Sequence, residues 1–156
     1  MAQLKGESIE TPPETDLFLD FLVFADEAPP GKVSACFPES CINSSRLRLD
    51  AYRRLAAITD EKRLDDFESE LRDRFGKLPQ SALLMLDCAR IRLIAGTCRL
   101  ESVSVRDDRV FLEQADGSFL KPSGFLPKLN PEDTPEQKVR AVLSLLRTVR
   151  KTMQSR

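Results

Sequence analysis

Between Pro79 and Gly96 the apolar residues Leu83, Leu84, Leu86, Cys88, Ile91, Leu93 and Ile94 are spread around most of a helical circumference. A helix apolar on nearly all sides belongs at the centre of a core, packed against several neighbours. Pro79 suits a first helical position and Gly96 a left-handed stop, so the spacing predicts a helix from about Pro79 to Ala95. Whatever else the chain builds has to wrap this segment.

Two amphipathic stretches precede it. Asn43-Ser44-Ser45 is a start signal, followed by Leu49, Tyr52, Leu55 and Ala56 at helical spacing, with an end near Ile58. The next helix begins after Thr59, carries Leu64, Phe67, Leu71 and Phe75 on one face, and stops at Gly76. A last helix starts with the capping box Thr134–Gln137 around Pro135 and shows the stripe Val139, Val142, Leu143, Leu146, Val149 and Met153.

Elsewhere the period falls to two. Val103 and Val105 alternate with Ser102, Ser104 and Arg106, Asp107-Asp108 makes a turn, and Val110-Phe111-Leu112 begins a return strand. A second turn at Ala115–Ser118 leads to Phe119-Leu120. Leu17–Phe24 reads as a strand covered on both faces except near Asp20. Residues 28–41 and 122–131, punctuated by proline, read as irregular loops. The expected fold is α+β, a cluster of about four helices with a small antiparallel sheet. Residues 1–16 read as a leader or linker and 17–156 as a single domain.

Composition narrows the chemistry. The chain contains no histidine, so neither a Ser-His-Asp nor a Cys-His pair exists, and no imidazole metal site. Cys36, Cys41, Cys88 and Cys98 lack CxxC spacing and read as small buried hydrophobes. No GxxxxGK[ST] or GxGxxG offers a phosphate cradle. We therefore expect no catalytic residue, no metal site and no cofactor of its own. No segment has the ~18 apolar residues of a membrane helix and no signal-peptide order opens the chain, so a soluble cytoplasmic protein without membrane contact is expected.

Charge is balanced at 24 basic against 25 acidic residues, giving no overall attraction to nucleic acid. It is nevertheless segregated. Residues 1–30 set Lys5 against Glu7, Glu10, Glu14, Asp16, Asp20, Asp26 and Glu27, whereas the last helix is basic. These two segments would attract each other in a folded domain. On the second helix, with Leu64 at zero and 100° per residue, Asp66, Glu70 and Asp73 fall at roughly 200°, 240° and 180°. They form one acidic stripe opposite the buried face. It reads either as a solvated face relieved by Arg63–Asp66 and Glu70–Arg74 pairs, or as a docking edge for arginines of another module. Nothing places the three in a pocket, so glycosidase-type acid–base work is not indicated. Arg140, Arg147 and Lys151 share a face of the last helix, but no aromatic side chain is interleaved there.

Three ordered segments carry a resemblance. Arg48–Ala56 fits R-L-x-x-Y-[KR]-R-[LI]-A, Glu70–Pro79 fits E-L-x-D-R-F-G-x-L-P, and Ala89–Leu93 fits A-R-[IL]-R-L. Phe37–Ile42 is similar to I-P-x-x-Y-I, and Leu4-Lys5-Gly6 to a preceding linker. Over about residues 17–100 the chain resembles the C-terminal domain of the bacterial transcription-repair coupling factors (Mfd). Those proteins are ATP-driven double-stranded DNA translocases that displace stalled RNA polymerase and recruit excision repair.

The resemblance implies a non-catalytic, autoinhibitory protein-interaction domain, with ATP and Mg confined to motor modules outside these residues. Its direct partner would be the UvrB-like module of the same protein, whose UvrA-binding surface it covers; UvrA and RNA polymerase would be reached indirectly. The glutamate and aspartate of the second motif, Glu70 and Asp73, would contact that module. Asp66 joins them by helical geometry only. Nucleic-acid contact is not expected. The alternatives are a nucleic-acid-binding accessory domain using the basic last helix, and a purely structural tail.

Overall fold

The computed structural model describes residues 15–154. The chain runs β1 (Asp16–Leu19), β2 (Leu22–Val23), β3 (Val33–Ser34), α1 (Ser45–Ala57), α2 (Glu61–Phe75), α3 (Gln80–Thr97), β4 (Leu100–Arg106), β5 (Arg109–Gln114) and α4 (Pro135–Gln154). This is the expected α+β arrangement of four helices and a small sheet. Of the expected leader 1–16, residues 1–14 lie outside the described residues. Thr15 is buried with its hydroxyl donating to the Leu100 carbonyl at 2.8 Å, and Asp16 opens β1, so these two belong to the fold.

Local signals set most helix ends. Ser44 caps α1 by accepting from the Leu47 N–H, and Asp60 caps α2 by accepting from the Arg63 N–H. Gly76 terminates α2 at φ 80°, in the left-handed region that only glycine enters freely. Thr134 and Gln137 form the reciprocal capping box at the start of α4. At α3 the reading from sequence fails: the helix passes through Gly96 to Thr97, and the left-handed residue that ends it is Arg99, at φ 59°.

α3 is apolar all round because it serves two cores. Leu84, Cys88, Ile91, Ile94 and Ala95 face a cluster built with the sheet and α4, including Val103, Val105, Leu112, Val142 and Leu146. Ala82, Leu86 and Leu93 face a second cluster with Phe37 and Ile42, Leu55 of α1, and Leu64, Phe67 and Leu71 of α2. Each fully buried side chain of this size contributes about 1.5–3 kcal/mol, so α3 holds the two halves together. The amphipathic stripes are narrower than expected. Leu49 is 51% exposed and Met153 42% exposed, and Ala56 is exposed, because no neighbouring element reaches those ends of the helical faces.

The larger sheet has the order β1-β4-β5 and is mixed. β4 and β5 form the expected antiparallel hairpin, with Asp107 and Asp108 at φ 50° and 66° giving the double left-handed turn that matches strand twist. β1 instead pairs parallel to β4, Leu17 opposite Val103 and Leu19 opposite Val105. The three intervening helices supply the long crossover that parallel pairing requires. The expected Leu17–Phe24 strand breaks at Asp20-Phe21, where the Asp20 carboxylate accepts from the Asp107 N–H at 2.9 Å. It is not covered on both faces either: β1 is an edge strand and Phe18 points outward. Within the loop 28–41, Val33–Ser34 pairs with β2.

A candidate protein-interaction face on α1 and α2

The Glu70 side chain stands where α2 crosses α1. Arg54 Nη1 and Nη2 donate to Glu70 Oε2 and Oε1 at 2.6 Å each, a two-pronged guanidinium–carboxylate pair. Arg74 adds a looser contact at 3.7 Å. The hydrogen bonds from Arg54 hold the Glu70 carboxyl below its ordinary range, and Glu70 in turn raises Arg54. Arg54 also lies over the Phe67 ring, 5.0 Å from its centroid. Glu70 is therefore half-exposed and engaged within the domain by Arg54 as well as by the expected Arg74, whereas the helical wheel placed it on the outer face without a partner from another helix.

Asp66 and Asp73 stand clear of the core. Asp66 is exposed, with Lys62 one turn earlier at 3.5 Å. Asp73 is exposed, and among the described residues no hydrogen bond or ion pair engages its carboxylate. At i, i+4 and i+7 the three acids share one side of α2. Beside them Arg54, Ile58, Arg63, Asp66, Phe67 and Glu70 line a shallow hollow of about 210 Å³. An apolar floor of Ile58 and Phe67 within a charged rim is the general anatomy of a protein interface. Sequence reasoning missed Arg54 as a site residue, although it stands in the motif Arg48–Ala56, because a wheel drawn for one helix does not show what the next helix presents.

The basic face of α4 is partly taken up inside the domain. Arg150 donates to Glu61 at 2.7 Å, Arg147 approaches Glu61 at 3.8 Å, and Arg90 of α3 bridges Glu61 and Asp65 at 3.4 and 2.7 Å. Partial burial pushes the Glu61 carboxyl up, but hydrogen bonds and charge from Arg150 and Arg90 outweigh it and leave the group below its ordinary value. Arg140 and Lys151 remain exposed. Among the described residues the cations of α4 thus pair with Glu61 at the start of α2 and, through Lys138, with Asp108 at 2.7 Å, not with Asp16, Asp20, Asp26 or Glu27; the acids expected at positions 7, 10 and 14 lie outside the described residues.

Cys36, Cys88 and Cys98 are buried and Cys41 partly so, all as free thiols. Burial pushes the Cys88 thiol up to about 12. Among the described residues no group of three or more Cys, Asp or Glu is placed to hold a metal, and no helix is long and apolar enough to cross a membrane.

The family model of the TRCF domain matches residues 32–125, which include α1, α2, α3 and the β4–β5 hairpin. The chain belongs to the TRCF domain family. Transcription-repair-coupling factors are its relatives: that of Haemophilus influenzae is 26% identical over 136 residues, covering 76% of this chain and 12% of the relative. The Escherichia coli factor is 28% identical over 101 residues, covering 65% and 9%. The Mycobacterium tuberculosis factor is 44% identical over 62 residues, covering 40% and 5%. This TRCF domain thus spans a small part of the length of those relatives. A crystal structure of the C-terminal domain of a transcription-repair coupling factor superposes with a TM-score of 0.68 at 15% identity, covering 93% of this chain and 99% of that one, and shares its fold.

Proposed function

We propose that this TRCF domain is a non-catalytic autoinhibitory interaction module of an ATP-dependent DNA translocase in transcription-coupled nucleotide excision repair. In that role residues 15–156 act as one cytoplasmic domain whose α2 edge docks on the UvrB-like module of the same protein and covers the surface that UvrA binds. ATP and Mg would act in the motor modules, and RNA polymerase and UvrA would be met through the other modules. The observation that carries the reading is Asp73, an exposed carboxylate with no partner among the described residues, standing in the E-L-x-D-R-F-G motif beside Glu70 and Asp66. An arginine of the docked module would complete it with a directional charge-assisted pair.

The reading that places nucleic acid on α4 is weakened, because Glu61 engages Arg150 and draws in Arg147. A purely structural tail would leave the acidic edge without consequence. The deciding experiment adds the 156-residue chain in trans to the isolated UvrB-like module in the presence of UvrA. The chain should bind the module and displace UvrA in proportion to its own occupancy. UvrA retained in full at saturating chain would sink the proposal.

A further inference from the structure

The outward face of the larger sheet is ordered in three rows across the strands. Asp16, Ser102 and Glu113 occupy one, Phe18, Ser104 and Phe111 the next, and Arg106 with Arg109 the third. The third row extends to Lys128, which bridges Arg109, and the first to Phe119, which bridges Glu113. The side chains follow the pleat: Val103, Val105, Val110 and Leu112 point into the core, so their sequence neighbours point out.

The aromatic row is open to solvent at Phe18 and partly buried at Phe111, beside which Phe119 is exposed. Phe18 is 49% exposed and Phe119 43% exposed, and Phe119 meets Phe111 edge to face at 5.4 Å between centroids. Ser104, small and level with the sheet, separates Phe18 from Phe111 by two strand spacings, about 10 Å. The Arg106 guanidinium lies over the Phe18 ring at 5.4 Å. Among the described residues no carboxylate pairs with Arg106, Arg109 or Lys128. The acids beside that row are Asp107 and Asp108, in the turn between Arg106 and Arg109, and Asp20: Asp108 pairs with Lys138 at 2.7 Å, and Asp20 accepts from the Asp107 N–H. Phe18 and Phe119 stay exposed beside cations that no carboxylate engages among the described residues, and an aromatic row on a sheet next to a cationic row complements bases and phosphates together.

We propose that this sheet face is a stacking platform for single-stranded DNA, with bases on Phe18 and Phe111 and phosphates on Arg106, Arg109 and Lys128. Phenyl faces accept any base, and a guanidinium plane stacks on bases as well. Single strands fit because a duplex hides its base faces. DNA is chosen over RNA because, of the two serines on the face, Ser102 already donates its hydroxyl to Glu113 at 3.0 Å, which leaves Ser104 as the serine hydroxyl able to donate to a 2′-hydroxyl. The expectation of no nucleic-acid contact rested on the balanced overall charge and on α4, where no aromatic is interleaved; the sheet has aromatics beside cations. This site is separate from the α2 edge and stands or falls independently of the autoinhibitory reading.

The test is fluorescence anisotropy of a labelled mixed-sequence single strand of about 12 nucleotides titrated with the 156-residue chain, beside the matching duplex and RNA. The single DNA strand should bind most tightly, with log K falling against log salt at a slope of about −2 for three phosphate contacts. Phe18→Ala should weaken binding roughly 5- to 150-fold with unchanged melting, Phe18→Leu should not restore it and Phe18→Tyr should. Should Phe18→Ala lower the melting temperature, Phe111→Ala, at the other stacking position, replaces it, with the same expected loss. Arg106→Gln with Arg109→Gln should flatten the salt slope. No binding at low salt overturns the proposal, as does equal or tighter binding of duplex or RNA. Phe18→Leu binding like the parent would mark an apolar protein-docking patch instead, and loss of binding on Arg140→Gln with Lys151→Gln alone would place the DNA on α4.

Discussion

Arg54 of α1 and Glu70 of α2 face each other as two parallel hydrogen bonds of 2.6 Å, so the helix carrying the acidic edge is tied to its neighbour through one of the edge's own carboxylates. Both side chains are 40% exposed, and exposed pairs contribute about 0.2–1 kcal/mol. Glu70→Ala should therefore cost about 1 kcal/mol, near the top of that range given the bidentate geometry. A double-mutant cycle with Arg54→Ala in chemical denaturation measures the coupling. Because the folded-state pKa of Glu70 is held below its ordinary 4.5, the pair's contribution is present above that pH and fades as pH falls through the lower folded value. The gap between parent and Glu70→Ala should close on acidification.

Truncating the second core separates buried from merely apolar positions. Leu71→Ala removes a buried side chain from the cluster around α2 and should cost about 2–5 kcal/mol. Leu49→Ala, on an exposed part of α1, should change stability by less than about 0.5 kcal/mol. Equal losses in urea midpoints would mean that α1 is covered by something in solution.

Arg99 occupies a left-handed conformation in which its backbone N–H donates to the Gly96 carbonyl at 3.0 Å, while its side chain makes no hydrogen bond or ion pair among the described residues. That conformation costs a residue with a Cβ about 1–2 kcal/mol. Arg99→Gly should relieve it, offset in part by the freedom glycine adds to the unfolded chain, and raise stability by up to about 1 kcal/mol. A thermal melt lower than the parent's would show that the Arg99 side chain contributes something the φ angle conceals.

Asp87 on α3 lies between α2 and α4. Burial raises its carboxyl above the ordinary 3.8, and Glu68 pushes the same way, while Arg90, Arg140 and Arg147 pull it down. A raised folded-state pKa means the fold prefers the protonated acid: stability is greater at low pH and falls as pH rises through the folded value. Asp87→Asn should consequently stabilise the domain near neutral pH, with the advantage shrinking to nothing below about pH 3.8. Denaturant midpoints across pH 3–7 (roughly one unbuffered carboxylate's range either side) check this.

Helix ends were legible where their cause is local, as at Ser44, Gly76 and Thr134, each a cap acting on atoms within one turn. The central place of α3 was legible because a helix facing two cores has no polar side to hide. What failed depends on distant chain. The parallel pairing of Asp16–Leu19 with Ser102–Val105 joins segments with three helices between them, and nothing in either strand names the other's direction. The Arg54–Glu70 fork and the Glu61–Arg90–Arg150 cluster arise where helices meet, which single-helix periodicity does not encode. Gly96 misled because a tolerated glycine and a stopping glycine look alike in sequence. The outward aromatic row needed the register of β1 on β4 before Phe18 and Phe111 could be placed on one face.

The acidic edge is tested most cleanly without Glu70, since that residue also ties α1 to α2. Asp66 and Asp73 are exposed, and among the described residues the ion pair they make, Lys62 with Asp66, is a weak solvent-facing contact. Asp66→Lys with Asp73→Lys should accordingly leave the melting transition within about 0.5 kcal/mol of the parent. If these carboxylates meet arginines of the UvrB-like module, the same change replaces attraction by like-charge repulsion inside a partly desolvated contact. Binding of the chain to that module should then drop by at least tenfold, about 1.4 kcal/mol, and displacement of UvrA should fall with it. Reversing the facing arginines to glutamate should restore binding to the doubly reversed chain and not to the parent, which a general loss of acidity would fail to do. Undiminished binding by the reversed chain would leave the stripe a solvated face and move the docking surface elsewhere on the domain.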